Sequence, residues 1–155
     1  MKKLNKNNKG FSLVELLVVI AIMVVLVGVI APSLLRNIEK SRVSRDVQNL
    51  DNIAAAIQAS LMVEAANDDA PTDAVYEYSK LWDDADSTFK ALKFTAEFKD
   101  NLPSGKNIEM TSKAGKTGKI YFTITSKGAI TVFVSTDADV ANTVKDGDTA
   151  FSVTR

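Results

Sequence analysis

The residue best placed for unusual chemistry is Glu15, a carboxylate at the edge of a long apolar segment. No charged residue occurs from Leu16 to Leu35, and a helix of that length can cross a hydrocarbon core of about 30 Å. A charge held in lipid costs roughly 2.5–3.5 kcal/mol on insertion scales. Phe11 lies four residues before Glu15 and therefore on the same face of a helix. We expect Glu15 to have a positively charged partner.

The remaining residue types exclude several kinds of chemistry. The chain contains neither histidine nor cysteine, which excludes imidazole bases, thiol nucleophiles, thiolate metal sites and disulfides. No paired arrangement of Asp, Glu, Ser and Lys stands out, so we predict no enzyme activity and no cofactor. The weak exception is a set of acidic residues near the C-terminus that are candidate calcium ligands, although a solvated turn is favoured because their spacing is not that of an EF-hand loop: Asp137, Asp139, Asp146 and Asp148.

Charge is balanced overall but unevenly distributed. The sequence has 19 basic and 19 acidic residues, and Lys2, Lys3, Lys6 and Lys9 all precede Phe11 without an accompanying acid. By the positive-inside rule this end stays in the cytoplasm and the residues after Leu35 are exported. The dense basic cluster is explained as a topology signal, so no direct contact with nucleic acid is predicted.

A cleaved secretory signal is the first alternative for the N-terminus. Its apolar region would span roughly 7–15 residues, whereas the run here is longer. The plausible cut after Ala31 would leave Pro32 next to the scissile bond, which disfavours this alternative. The segment Gly10-Phe11-Ser12-Leu13-Val14-Glu15, with basic residues before it and about twenty apolar residues after it, resembles the class III signal of type IV pilins.

The resemblance implies a specific set of roles. A prepilin peptidase would cut between Gly10 and Phe11 and N-methylate Phe11, which makes Glu15 the fifth residue of the mature chain. Glu15 would then pair with the new ammonium group at Phe11, either of its own chain or, as we favour, of a neighbouring subunit. The same family resemblance implies that the helix near Gly28 and Pro32 can unwind in filaments; a simple kink is the alternative, because proline cannot donate to the carbonyl of residue 28.

Periodicity predicts one helix from Phe11 to Ala66. An apolar stripe at spacings of three and four follows the membrane segment, formed by Val43, Val47, Leu50, Ala54, Ile57 and Leu61. We assign polar faces to the charged residues around it, including Arg36, Lys40, Arg42, Arg45 and Asp46. The Asn/Asp cluster before Pro71 is expected to end the helix.

Strand-like alternation appears after residue 105. We predict strands at Ile108–Met110, at 120–124, at 130–134 and, as a short final strand, at Phe151 and Val153, with a tight hairpin at 126–128. The region from 72 to 103 is predicted to be a connection with short helices, one of them capped by Asp86 or Ser87. Its aromatic residues are expected in the core rather than in a sugar site: Tyr76, Tyr78, Trp82, Phe89, Phe94 and Phe98.

These elements predict an α+β fold in which a long N-terminal helix, transmembrane in its first half and amphipathic in its second, packs against a C-terminal antiparallel sheet of three or four strands. The pilin resemblance implies the same ladle-like arrangement. The expected segments are a leader (1–10), a transmembrane or filament-core helix (11–35), an amphipathic helix half (36–66), an αβ loop (67–105) and the sheet with its tail (106–155).

The function implied is structural. The chain would be a type IV pilin held in the cytoplasmic membrane by one span, processed by prepilin peptidase, and polymerised by the pilus assembly machinery into an extracellular homopolymer for adhesion, motility or biofilm formation. The alternatives are a pseudopilin of a type II secretion or DNA-uptake system and, from another class, a membrane-anchored binding domain with a single span.

Overall fold

The computed structural model describes residues 11–146 and 149–155. The chain divides into two compact units, Met1–Ile38 and Glu39–Arg155. Helix α1 (Leu13–Leu61) begins in the first unit and continues into the second. The predicted leader (1–10) and Asp148 lie outside the described residues.

The described part of the first unit is the apolar portion of α1. Its Leu, Val, Ile and Met side chains form a helix long and apolar enough to cross a membrane by length and composition. Every residue from Phe11 to Ile30 is exposed in the isolated chain. Pro32 lies inside the helix, which continues on both sides of it. Side chains that are apolar on all faces of a helix require either lipid or other helices around them.

The second unit confirms the predicted amphipathic stripe. Val43, Leu50, Ala54 and Ile57 are buried, and the stripe is wider than predicted because Ile53 and Ala56 are buried as well. Val47 and Leu61 are partly buried against the same core. These positions recur every three to four residues, so a single helix face meets the core.

The predicted end of the helix at Ala66 is wrong. Helix α1 ends at Leu61, and the short helix α2 (Glu64–Asn67) follows after Val63, whose backbone is extended. The last turn of α1 tightens, since the N–H of Val63 donates to the carbonyl of Ser60 at 3.2 Å. The break redirects the chain and Ala66 becomes fully buried.

The sheet has four antiparallel strands in the order β1-β2-β3-β6. They are β1 (Val75–Glu77), β2 (Lys119–Ile124), β3 (Ile130–Ser135) and β6 (Ser152–Thr154), while β4 (Lys145–Asp146) and β5 (Thr149–Ala150) form a separate pair. Gly128, at φ +84°, makes the tight turn between β2 and β3. The predicted α+β fold, a long N-terminal helix packed against a C-terminal antiparallel sheet, is confirmed.

One predicted strand is wrong and another was missed. Residues Ile108–Met110 form no strand. The N–H of Ile108 closes a turn by donating to the Gly105 carbonyl at 3.0 Å, and the N–H groups after Met110 donate to a helix side chain. The first strand is β1, in the region predicted as a loop with helices. It pairs with β2, and its Tyr76 lies opposite Phe122 with ring centroids 5.7 Å apart.

The aromatic residues of the middle segment form core, as predicted. Tyr78, Phe89, Phe94 and Phe98 are buried, and Tyr76 and Trp82 pack against them. The segment forms a 3-10 helix (Tyr78–Trp82), α3 (Ser87–Lys90) and α4 (Lys93–Asn101). Asp86 is the N-cap of α3, since its side chain accepts a hydrogen bond from the N–H of Thr88 at 2.9 Å. The N-cap position of α4 is Leu92, and the first N–H groups of this helix, at Lys93 and Phe94, donate to the side chain of the distant Asp69.

The last strand is held in place without a disulfide. Arg155 exchanges two backbone hydrogen bonds with Ile130, each at 2.8 Å. Its guanidinium group donates to Asp51 of α1 at 2.8 and 3.2 Å and to Gln58 at 3.3 Å. The C-terminal residue therefore connects the sheet edge to the helix.

Tyr78 makes the stability of this unit sensitive to alkaline pH. Its hydroxyl donates to the carbonyl of Gly105 at 2.8 Å, and burial raises the pKa of Tyr78 to about 12, from an ordinary 10.0. The unfolded chain therefore ionises first, so the stabilisation is complete below pH 10 and is lost as pH rises towards 12. We expect a loss of about 2–3 kcal/mol over this range. Urea unfolding against pH measures it, and Tyr78→Phe should abolish the part due to this hydroxyl.

Candidate functional site

The predicted processing and assembly segment lies at the start of α1. Phe11 and Ser12 precede the helix, and the side chain of Phe11 is 80% exposed. The N–H of Ser12 donates to the Glu15 carboxylate at 2.9 Å, while the N–H of Leu16 donates to the Ser12 carbonyl at 3.2 Å. Ser12 is therefore the N-cap residue, and Glu15 satisfies an N–H that the helix leaves without an internal partner.

Sequence reasoning placed Glu15 correctly in the first turn but missed this local partner. Ser-x-x-Glu at a helix start is the signature of a capping box, in which the third helical residue reaches back to the N-cap N–H. The residues Ser12 and Glu15 carry that signature in the sequence. A carboxylate at this end of a helix also interacts favourably with the helix dipole. The hydrogen bond from Ser12 thus partly offsets, within the same chain, the cost of removing the Glu15 carboxylate from water.

The other predicted processing residue, Gly10, lies outside the described residues. Gly28 and Pro32, predicted to loosen the helix, both lie within α1 in this structure. A Cβ atom added at Gly28 would meet no heavy atom within 4 Å. Packing within the described chain therefore gives no reason for a glycine at this position.

The C-terminal acidic residues act as local hydrogen-bond acceptors. The Asp137 carboxylate accepts from the Ser135 hydroxyl at 2.9 Å and from the Asn142 amide at 2.7 Å. Asp139 accepts from the N–H of Ala141 at 2.9 Å and caps a 3-10 helix (Val140–Asn142). Asp146 lies in β4, and within residues 11–146 and 149–155 no group of three or more acidic side chains is arranged to hold a metal ion.

A buried carboxylate that the sequence did not single out lies on α1. Asp46 is fully buried although it was assigned to a polar face, and that assignment is wrong. Its oxygens accept from the N–H and hydroxyl of Thr111, at 2.8 and 2.9 Å, and from the N–H and hydroxyl of Ser112, at 2.8 and 2.5 Å. Four donors replace the water that the carboxylate loses.

The environment of Asp46 keeps it ionised. Burial by itself raises the pKa of this carboxyl, but hydrogen bonds from Ser112 and Thr111 outweigh it and hold the pKa below the ordinary 3.8. Gly115 passes so close that a Cβ there would lie 2.9 Å from an Asp46 oxygen. A signal existed in the sequence, because residue 46 falls three after Val43 and four before Leu50, on the apolar face.

Glu39, about two helical turns before Asp46 on α1, extends the same contact. Its carboxylate accepts a hydrogen bond from the N–H of Lys113. Three consecutive backbone N–H groups, at Thr111, Ser112 and Lys113, therefore bind two carboxylates seven residues apart on α1. We call these five residues the carboxylate clamp. It joins the loop before β2 to the helix in a domain without cysteine.

Comparison with known proteins identifies the N-terminal segment. Residues 5–31 match the family model of the prokaryotic N-terminal methylation motif, the class III signal peptide of type IV pilins and pseudopilins. The motif indicates a structural, pilin-like or pseudopilin protein, and implies processing by prepilin peptidase and assembly into a filament. With the apolar helix it fits anchoring in a membrane before assembly. No curated protein and no solved structure matched the chain.

Proposed function

We propose that this chain is a structural subunit of an extracellular type IV pilus, supporting adhesion, motility or biofilm formation. The observation that carries the proposal is that the methylation motif at residues 5–31 overlaps the start of a helix whose apolar side chains are exposed on all faces. The subunit would wait in the cytoplasmic membrane with its N-terminus inside. Other proteins would supply the energy for assembly, since the sequence has no phosphate-binding loop.

Processing would occur at the residues that precede the helix. A prepilin peptidase cuts between Gly10 and Phe11 and methylates the new amine, and the four leader lysines leave with the leader. Phe11 and Ser12 lie outside α1, which supports this role because a peptide bond must leave a helix before a peptidase can bind it in an extended form.

Assembly would exchange one partner of Glu15 for another. In the isolated chain the carboxylate accepts one hydrogen bond from a neutral N–H, that of Ser12. A methylated ammonium at Phe11 of a neighbouring subunit offers a charge-assisted hydrogen bond, roughly twice as strong as a neutral one. Pairing neutralises both groups in an apolar filament core, where either one alone would be costly.

The apolar part of α1 would remain buried throughout. In the membrane its side chains contact lipid, and in the filament they contact the same segment of neighbouring subunits. Each apolar side chain keeps an environment without water, so the transfer needs no exposure of the segment to solvent. The contacts of residues 13–35 would thus be intermolecular.

Gly28 and Pro32 are proposed to be the part of the helix that stretches. Proline removes one backbone hydrogen bond and glycine has low helix propensity. We expect Pro32→Ala to stiffen the filament, because it restores a donor to the helix. Force-extension measurements on single fibres test this, and an unchanged extension under load would contradict it.

A pseudopilin of a secretion or DNA-uptake system is the second candidate, because the same motif serves both. The size of the second unit (Glu39–Arg155) and its aromatic core favour a pilus subunit over a pseudopilin. Shearing cells and examining the supernatant by electron microscopy separates the two: long fibres containing this chain support a pilus, and their absence together with correct processing supports a pseudopilus. A membrane-anchored binding module would instead retain residues 1–10 and form no polymer.

A further inference from the structure

In the segment that follows the apolar run (36–46), acidic and basic side chains lie on different sides of the helix. It contains two acids, Glu39 and Asp46, and both are used inside the carboxylate clamp. Its cations Arg36, Lys40, Arg42 and Arg45 are all exposed. Arg42 contacts Glu39 only at 3.4 Å and is 46% exposed, an ion pair of a kind worth little in water.

These cations border the side of the helix that is free of the domain. At about 100° per residue, Val43, Asp46 and Glu39 define the sector that faces the domain. Lys40 and Arg42 flank that sector on either side, and Arg45 points more nearly away from it. Lys113 adds a cation beside the helix, since its N–H binds Glu39 and its side chain is exposed. We call Lys40, Arg42, Arg45 and Lys113 the basic collar.

The position of the collar in the sequence, just after the apolar run, indicates which kind of partner it binds. Lys40 follows Leu35, the end of the apolar run, by five residues, and Arg36 follows it directly. A headgroup layer meets every exposed face of a helix that leaves it, and it therefore accommodates cations that lie on different faces. Lysine and arginine also extend apolar stems towards a membrane interface while their charges reach the headgroups.

We propose that the basic collar binds anionic phospholipid headgroups on the exported side of the membrane while the subunit awaits assembly. The clamp contributes by burying Asp46 and leaving only 22% of the Glu39 side chain exposed, so the surface that meets the phosphates is predominantly positive. This proposal depends on membrane anchoring of the subunit and not on the kind of filament it later forms.

The test uses the full, uncut chain in vesicles. Electron paramagnetic resonance with spin-labelled lipids measures how strongly the protein prefers phosphatidylglycerol over phosphatidylcholine. The collar variant carries Lys40→Gln, Arg42→Gln and Arg45→Gln. The control carries Lys90→Gln, Lys106→Gln and Lys127→Gln, three exposed lysines of the same unit, so both lose equal charge and both keep the leader lysines.

We expect the collar variant to lose preference for the anionic lipid and the control to keep it. One cation near an anionic surface contributes about fivefold to affinity at low salt, so the combined loss should be at least that large. The difference should vanish at about 1 M salt, where the Debye length is roughly 3 Å. Unchanged far-ultraviolet circular dichroism would show that the variants are folded.

Two outcomes would overturn the proposal. If the collar variant retains the wild-type lipid preference, the collar does not bind headgroups. If it retains that preference but loses self-association in the same vesicles, the partner of the collar is a second copy of the chain. Neither result bears on processing at Phe11, so the proposed function can hold even when this inference fails.

Discussion

Replacing Glu15 with valine is expected to leave the precursor processed but to abolish filaments. The valine side chain cannot neutralise the ammonium that cleavage creates at Phe11, and removing one partner of a buried ion pair costs about 3–5 kcal/mol. The yield of sheared fibres should therefore fall at least about a hundredfold. Processing is read from the size of the chain on immunoblots, and assembly from the sheared fraction. Normal fibres from Glu15→Val would contradict charge pairing.

Glu15→Gln is the matched control that distinguishes the two partners of this side chain, the Ser12 N–H and the ammonium at Phe11 of a neighbouring subunit. Glutamine keeps the acceptor for the Ser12 N–H, since a capping box accepts Glu or Gln, but it has no charge. If the ammonium is the partner that matters, glutamine should fail almost as completely as valine. Fibre formation by Glu15→Gln but not by Glu15→Val would instead assign assembly to the capping interaction.

Replacing Asp46 with alanine should strongly destabilise the second unit. It leaves the N–H and hydroxyl donors of Thr111 and Ser112 without their acceptor in a buried site. Each buried unsatisfied donor costs about 1–3 kcal/mol, and the hydroxyls can partly reorient. We expect the free energy of unfolding to fall by about 3–5 kcal/mol. Urea unfolding of the full chain in detergent, followed by the fluorescence of Trp82, measures this.

Two comparisons make the Asp46 experiment specific. Asp51→Ala removes a carboxylate on the same helix that pairs with Arg155 at the surface, and it should cost less than about 1 kcal/mol. Because the pKa of Asp46 is held below 3.8, its stabilisation is present above that pH and is lost as the pH falls further. Asp46→Ala should lack this acid-dependent part. A loss no larger than that of Asp51→Ala would show that the clamp is unimportant.

The features predicted correctly from sequence are those set by periodicity over many residues. The stripe from Val43 to Leu61 and the hairpin of β2 and β3 each repeat a pattern several times, so tertiary contacts reinforce the local preference. The capped start of α3 at Asp86 was predictable because the cap is local. The methylation motif is local as well, and its recognition needed no structure.

The features missed depend on partners that are distant in sequence. Strand β1 has three residues and pairs with residues about 46 positions later, so no local pattern distinguishes it from a loop. Asp46 looked like a surface residue because its donors at Thr111 and Ser112 lie 65 and 66 residues away. Ile108–Met110, although alternating, forms no strand, because it lies between a turn closed by the N–H of Ile108 on Gly105 and the donors that bind Asp46. The helix break after Leu61 could not be predicted from the local sequence, because it depends on the burial of Ala66.

Mass spectrometry of the mature N-terminus tests the central claim most directly. The chain would be isolated from membranes and from sheared fibres of cells that contain a prepilin peptidase, then digested and analysed without enrichment for modified peptides. We predict that it begins at Phe11 and carries a methyl group on the α-amine. A steady-state chain that retains Met1 to Gly10, or one that begins after Ala31, would contradict the account.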